Sequence, residues 1–90
     1  MNIVYIPEEQ LIDNEENFYH IDDNEVIYLA RSIEALDGIA VPLIVKPLDS
    51  MHYKIIAGHK RKKAVQLLLS EGKEQYRNLP CTEKNLHDGQ

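Results

Sequence analysis

The apolar positions of this 90-residue chain change period from one segment to the next. Residues 2–6 (Asn-Ile-Val-Tyr-Ile) are rich in β-branched and aromatic side chains and predict a first strand. Residues 7–11 can form one helical turn, with Pro7 at its first position. Residues 13–20 mix Asn and acids without periodicity and read as a loop. Val26, Leu29, Ala30, Ile33 and Leu36 then recur three and four apart, the spacing of an amphipathic helix of about four turns. Asp22 stands at the N-cap of that helix, and Glu25 three residues later completes a capping-box pattern. Gly38 supplies the stop, as a residue able to take a left-handed conformation.

The second half of the chain has shorter periods. Residues 41–47 form an apolar run punctuated by Pro42 and Pro47, consistent with a buried strand. Residues 48–52 make a turn, and residues 53–57 return as a second strand, so the pair predicts a hairpin. Gly58 closes that strand. Residues 60–71 are helical in pattern, with Ala64, Val65, Leu67, Leu68 and Leu69 on the core side and Gly72 as terminator. Residues 79–82 suit a last short strand, and residues 83–90 a polar, frayed tail. The expected organisation is one domain over residues 1–82 plus that tail. There is no internal repeat and no low-complexity segment.

Composition adds class but not mechanism. An apolar fraction of 43% and a charged fraction of 28% are those of a globular protein. No apolar run approaches the ~20 residues of a membrane span, and the N-terminus lacks the pattern of a secretory signal, so the default expectation is a cytoplasmic protein with no membrane partner. A single cysteine, Cys81, excludes an internal disulfide and a multi-cysteine metal site.

Charge changes the picture. The net charge is −5, yet four cations, Lys60-Arg61-Lys62-Lys63, stand in one run. Residues 1–50 hold eleven acidic and two basic side chains, whereas residues 51–90 hold four acidic and eight basic ones. Such a division argues against a nucleic-acid coat, which would be basic throughout. The run also sits where the second helix should begin. A helix N-terminus already carries positive partial charge, so cations there cost up to about 1 kcal/mol each at low salt. A bound anion reverses that sign, because free N–H groups and basic side chains together make a phosphate site. Gly58 would let the strand turn sharply into the helix and let a phosphate approach the main chain. The N–H groups of His59, Lys60 and Arg61 would then face the ligand. Arg61 suits bidentate phosphate contact through its planar fork, and Lys60 and Lys63 add point charges. The competing interpretation is a solvated helical face, the ordinary fate of a basic run. The acidic background and the position at the helix start favour the anion site.

Other titratable residues carry weaker signals. His59 can bind phosphate or act as an acid or base, although no carboxylate partner is visible nearby in the sequence. His20, His52 and His87 show no metal-ligand spacing and read as surface residues. Cys81 reads as core packing. Glu15, Glu16, Asp22 and Asp23 read as loop and cap residues ahead of metal ligands. Tyr19, Tyr28 and Tyr53 read as half-buried core edges ahead of base-stacking platforms.

Residues 29–33 (Leu-Ala-Arg-Ser-Ile), Gly38 and residues 42–45 (Pro-Leu-Ile-Val) resemble the first box of ParB-type partition proteins. Residues 55–64 (Ile-Ile-Ala-Gly-His-Lys-Arg-Lys-Lys-Ala) resemble their arginine-rich second box. Asn14 and Asn17 lie in the segment by which that family approaches its first helix. The likeness runs over residues 3–82. It implies the α+β ParB/sulfiredoxin fold, a small mixed β-sheet with surrounding helices. It also implies a site for CTP or another nucleoside triphosphate, with Mg2+ as an accompanying ion. On that likeness Gly58, Lys60 and Arg61 fall on the phosphate-gripping box, and Ser32, Gly38 and Pro42 on the box beside the nucleotide. His59 stands where ParB proteins usually have Glu, and Val41 where many have Gln. Sulfiredoxins place a catalytic Cys where this chain has His59, so reductase chemistry is not implied. The third ParB box, involved with metal and hydrolysis, and the helix-turn-helix that reads partition sites do not follow the last strand. Either this is part of a longer protein or it is a free-standing relative.

The expectation is therefore a nucleotide-binding domain serving DNA partition or transcription regulation in a bacterial chromosome, plasmid or mobile element. The nucleotide would favour self-association as a homodimer, and DNA would be contacted through a domain beyond these residues. The alternatives are a nuclease or other phosphotransfer enzyme, and a non-catalytic module that binds nucleic acid or protein through its basic face.

Overall fold

The computed structural model describes residues 2–13 and 22–84. Strand β1 (Val4–Pro7) leads through a 3-10 turn (Glu8–Gln10) into the two-residue strand β2 (Leu11–Ile12). Helix α1 (Asp23–Leu36) precedes the hairpin β3 (Leu43–Pro47) and β4 (Tyr53–Ala57). Helix α2 (His59–Ser70), a second 3-10 turn (Glu74–Tyr76) and strand β5 (Asn78–Glu83) complete the order. The strands form one mixed sheet in the order β1-β5-β3-β4-β2. The pairs β1–β5 and β3–β4 are antiparallel, whereas β3–β5 and β2–β4 are parallel. This is the small mixed sheet with helices that the resemblance to ParB-type proteins implies.

Strands β1 and β2 occupy opposite margins of the sheet although only residues 8–10 separate them. Laid flat, the margins of a five-stranded sheet would be about 19 Å apart. The chain from Pro7 to Leu11 reaches at most about 14 Å. The sheet must therefore curl, and an irregular register between Ile44 and Val45 lies in its middle strand.

Alternation along the strands decides which side chains fill the curl. Ile6 opposes Leu79, Leu43 opposes Cys81, and Val45 opposes Ile55, and all six are buried. Ala30 and Ile33 of α1 and Ala64, Val65 and Leu68 of α2 close the core. Each fully buried Leu, Ile or Val contributes about 1.5–3 kcal/mol relative to exposure. Leu67 and Leu69 flank this core, partly buried. The hairpin turn is fixed by Asp49, whose Oδ1 accepts from Met51 N at 2.7 Å, and by Leu48 N donating to His52 O at 2.9 Å.

Several local expectations are corrected. Pro7 ends β1 and caps the 3-10 turn, so the turn starts one residue later, at Glu8. The left-handed residue ending α1 is Asp37 (φ 56°), whose position is secured by its N–H to Glu34 O and by Gly38 N–H to Ile33 O. Asp22 does cap α1, accepting from Asn24 N at 2.9 Å, but Glu25 forms an ion pair with Lys60. Strand β3 begins at Leu43, leaving Val41 and Pro42 outside the ladder, and α2 begins at His59. Tyr28 is exposed, not half-buried. Apart from Asp13, Glu83 and Lys84, the expected loop and tail lie outside the described residues, with Asn14, Glu15, Glu16, Asn17, Tyr19, His20 and His87.

Candidate functional site

Gly58 is the hinge between β4 and α2, with φ 111° and ψ 21°. A Cβ there would lie 2.6 Å from Leu43 Cγ and 3.0 Å from Arg61 Nη2. The glycine is thus required twice, by its backbone conformation and by the close approach of Leu43 and Arg61. It gives α2 no side-chain cap, and the first turn of α2 has no acidic residue. The helix mouth is left electropositive. The Arg61 and Lys62 N–H groups donate to Gly58 O at 3.0 and 3.2 Å. Arg61 N–H is therefore engaged within the helix, contrary to the expectation that it faces a ligand.

The four cations separate into different environments. Lys60 Nζ meets Glu25 of α1 at 3.2 Å. Lys62 is only 8% exposed and reaches Asp13, after β2, at 3.4 Å. Lys63 is exposed. Arg61 is half-buried, and its Nε is enclosed with no hydrogen-bond partner. Burial holds the Arg61 pKa below its ordinary value. The positive run is therefore partly neutralised by Glu25 and Asp13. Arg61 retains an unmet demand for an acceptor.

Two hollows meet at Arg61. The first, about 270 Å³, is lined by Gly58, His59, Lys60 and Arg61 with Leu29 of α1. The second, about 130 Å³, is largely apolar; Ser32 and Gly38 line it, with Leu29, Ile33, Val41 and Arg61 among its other walls. Ser32 Oγ donates to Tyr28 O at 3.0 Å. Pro42 and Lys63 line neither hollow. On the far side of residues 36–40 lies a hollow of about 640 Å³ between Tyr5, Asp37, Tyr76 and Pro80.

Arg61 joins a charged hollow to a largely apolar one, so the arrangement can receive an anionic group with an adjoining apolar body. Among the described residues no three His, Cys, Asp or Glu side chains converge to hold a metal ion. The fit is to the anion. His59, 7% exposed, lines the charged hollow. Burial lowers its pKa, the Asp13 charge opposes that shift, and the Lys62 charge adds to it. Leu29, Asp13 and Glu25 escaped the sequence reading as site residues. Leu29 belonged to a core stripe, and Glu25 to a cap. Asp13 stood at the start of an aperiodic loop and carried no signal of its own.

Comparison with known proteins places this geometry. Sulfiredoxin from Arabidopsis thaliana superposes with a TM-score of 0.76 at 26% identity, over 94% of this chain and 86% of its own. The C-terminally truncated chromosome-partitioning protein ParB from Caulobacter crescentus, complexed with CTP-gamma-S, superposes with a TM-score of 0.76 at 22% identity. That match covers 98% of this chain and 47% of the ParB chain. A free serine kinase in complex with ADP gives a TM-score of 0.75 at 14% identity, over 99% of this chain and 34% of the kinase. The chain thus spans less than half of two of these proteins, and both carry nucleotides in their structures. No curated protein matches the sequence. Among the described residues no helix is long and apolar enough to cross a membrane. The sequence model of the ParB N-terminal domain matches residues 1–88, and the chain belongs to that family.

Proposed function

We propose that this domain binds a nucleoside triphosphate, with CTP the foremost candidate. Gly58, His59, Lys60 and Arg61 hold the phosphates, and Lys63 adds charge from the exposed side. The slot beside Ser32 and Gly38 receives the nucleoside, while Pro42 shapes the entry to β3 behind it. Mg2+ arrives with the phosphates.

The observation that carries this reading is Arg61. Its Nε is buried and unpartnered, and the residue lines both hollows. An arginine held in this way costs stability unless an acceptor arrives. A phosphate supplies acceptors that match the planar fork.

The domain serves DNA partition or transcription regulation in the cytoplasm of a bacterium. Nucleotide binding favours a homodimer by binding one conformational state more tightly than another. DNA is contacted through protein beyond these residues. The test is chemical-shift mapping with CTP and, in parallel, the other three ribonucleotides. Shifts confined to Gly58–Lys63 and the walls of the Ser32 slot are expected. No shift there with any nucleotide at millimolar concentration overturns the reading.

A further inference from the structure

The hollow of about 640 Å³ lies away from the hinge, and its charge has the opposite sign. It opens at the C-terminal end of α1, beside Leu36, Asp37 and Gly38. Tyr5 of β1, its ladder partner Pro80 of β5, and Tyr76 of the second 3-10 turn supply other walls. Among the described residues Asp37 is the one charged group that lines it.

Asp37 stands there against two local preferences. Its backbone is left-handed, with φ 56°, a conformation that glycine takes without steric penalty. It also caps the C-terminal end of a helix, where the negative partial charge disfavours a carboxylate. The last turn of α1 has no basic residue to offset this. Tyr76 Oη donates to Asp37 Oδ1 at 3.4 Å, a long bond from a neutral group that leaves the charge uncompensated. Burial, and then the charges of Asp37 and Glu34, push the Tyr76 hydroxyl above its ordinary value. Lys73 acts on that hydroxyl in the other direction, but it is already bonded to Glu34 and Glu71. A cation in the hollow would relieve both the exposed carboxylate and the helix end. One carboxylate is too few oxygens for a hard divalent metal. Tyrosine rings beside a carboxylate suit an organic cation instead. Tyr5 and Leu36, each 68% exposed, leave apolar surface open at the same place.

We propose that this hollow binds a small organic cation, an ammonium or guanidinium group on an apolar body, with its charge at Asp37 and its body between Tyr5, Leu36 and Tyr76. Its volume is that of a pocket for a metabolite-sized molecule. The site is independent of the nucleotide at the hinge, although Leu36, Gly38, Ile39 and Ala40 also line the slot beside Ser32.

The test is a chemical-shift titration of the whole chain with three probes of similar shape at constant ionic strength. Phenethylamine is a cation at about pH 7, 2-phenylethanol is neutral, and 3-phenylpropionate is an anion. The amine should shift Tyr5, residues 36–40, Tyr76 and Asn78, and leave His59, Lys60 and Lys63 unmoved. The alcohol should bind at least about fivefold more weakly than the amine, and the anion more weakly still. Asp37→Asn keeps a residue that tolerates the left-handed turn and removes the charge. It should bring amine affinity down to that of the alcohol and leave the alcohol unaffected. Tyr5→Ser, at a largely exposed position, should weaken amine and alcohol together. No shift at these residues with the amine at millimolar concentration overturns the proposal, as does equal affinity for amine and alcohol. Parent affinity for the amine in Asp37→Asn does the same. Should that variant fail to fold, parent affinity in Tyr5→Ser is the overturning result.

Discussion

Arg31 and Glu71 meet fork to fork, with Nη1–Oε1 at 2.9 Å and Nη2–Oε2 at 2.7 Å, and so tie the middle of α1 to the C-terminal end of α2. Glu34 and Lys73 join the same cluster, Lys73 bonding both carboxylates. Hydrogen bonds from Arg31, then Lys73, hold the Glu71 carboxyl at about 2. The group ionises more readily folded than unfolded, so its contribution is present above the unfolded carboxylate range. It is lost as pH falls toward about 2. Glu71→Gln should lower Tm modestly at pH 7 and flatten the acid side of the Tm–pH curve. The pair is exposed, so high salt should shrink the difference between variant and parent.

Gly58 and Gly72 both have positive φ, at 111° and 84°, but differ in surroundings. A Cβ at Gly72 meets nothing within 4 Å, whereas one at Gly58 runs into Leu43. Gly72→Ala should cost about 1–2 kcal/mol, from backbone strain alone. Gly58→Ala adds overpacking and should cost about 3 kcal/mol or more in chemical denaturation. Equal losses at the two sites would show that Leu43 yields without penalty.

Arg61 sets stability against binding. Arg61→Leu removes a buried donor that lacks an acceptor and should raise unfolding stability by up to about 1 kcal/mol in the nucleotide-free protein. The same change should weaken nucleotide affinity at least about tenfold, since a charge-assisted contact is worth roughly 1.5–3 kcal/mol. Denaturation and calorimetry on one variant check both halves.

Glu25 competes with an incoming anion for Lys60, across 3.2 Å. Glu25→Gln should therefore tighten nucleotide binding a few-fold and steepen its salt dependence. An unchanged or weaker affinity would mean that Lys60 stays out of the phosphate contact.

Cys81 is fully buried in β5, and burial pushes its thiol up to about 11. Reagents that need a thiolate should label it only as fast as the domain unfolds. Labelling that persists at a rate independent of denaturant would contradict the register Leu43–Cys81.

The hairpin, both helices and most of β5 were legible because each is long enough to show a period, and because Gly72 and Asp22 are local signals. Strand β2 was not, since two residues have no period and its partner, β4, lies about forty positions away. Glu25 fits a capping box as well as an ion pair, and only the packing of α1 on α2 decides for Lys60. The run 60–63 drew attention to the mouth of α2, but sequence could not separate Lys62, buried against Asp13, from Lys63, which points to water. Nor could it show that Pro42 stays outside both hollows while Leu29 joins them.

The short link between β1 and β2 gives the domain a hoop in place of a ribbon. A ribbon's two free borders invite a neighbouring molecule to lay a strand alongside. Here residues 8–10 leash one border to the other. The tether therefore holds the two borders within its own short span, which narrows the approach that a stranger's strand would need.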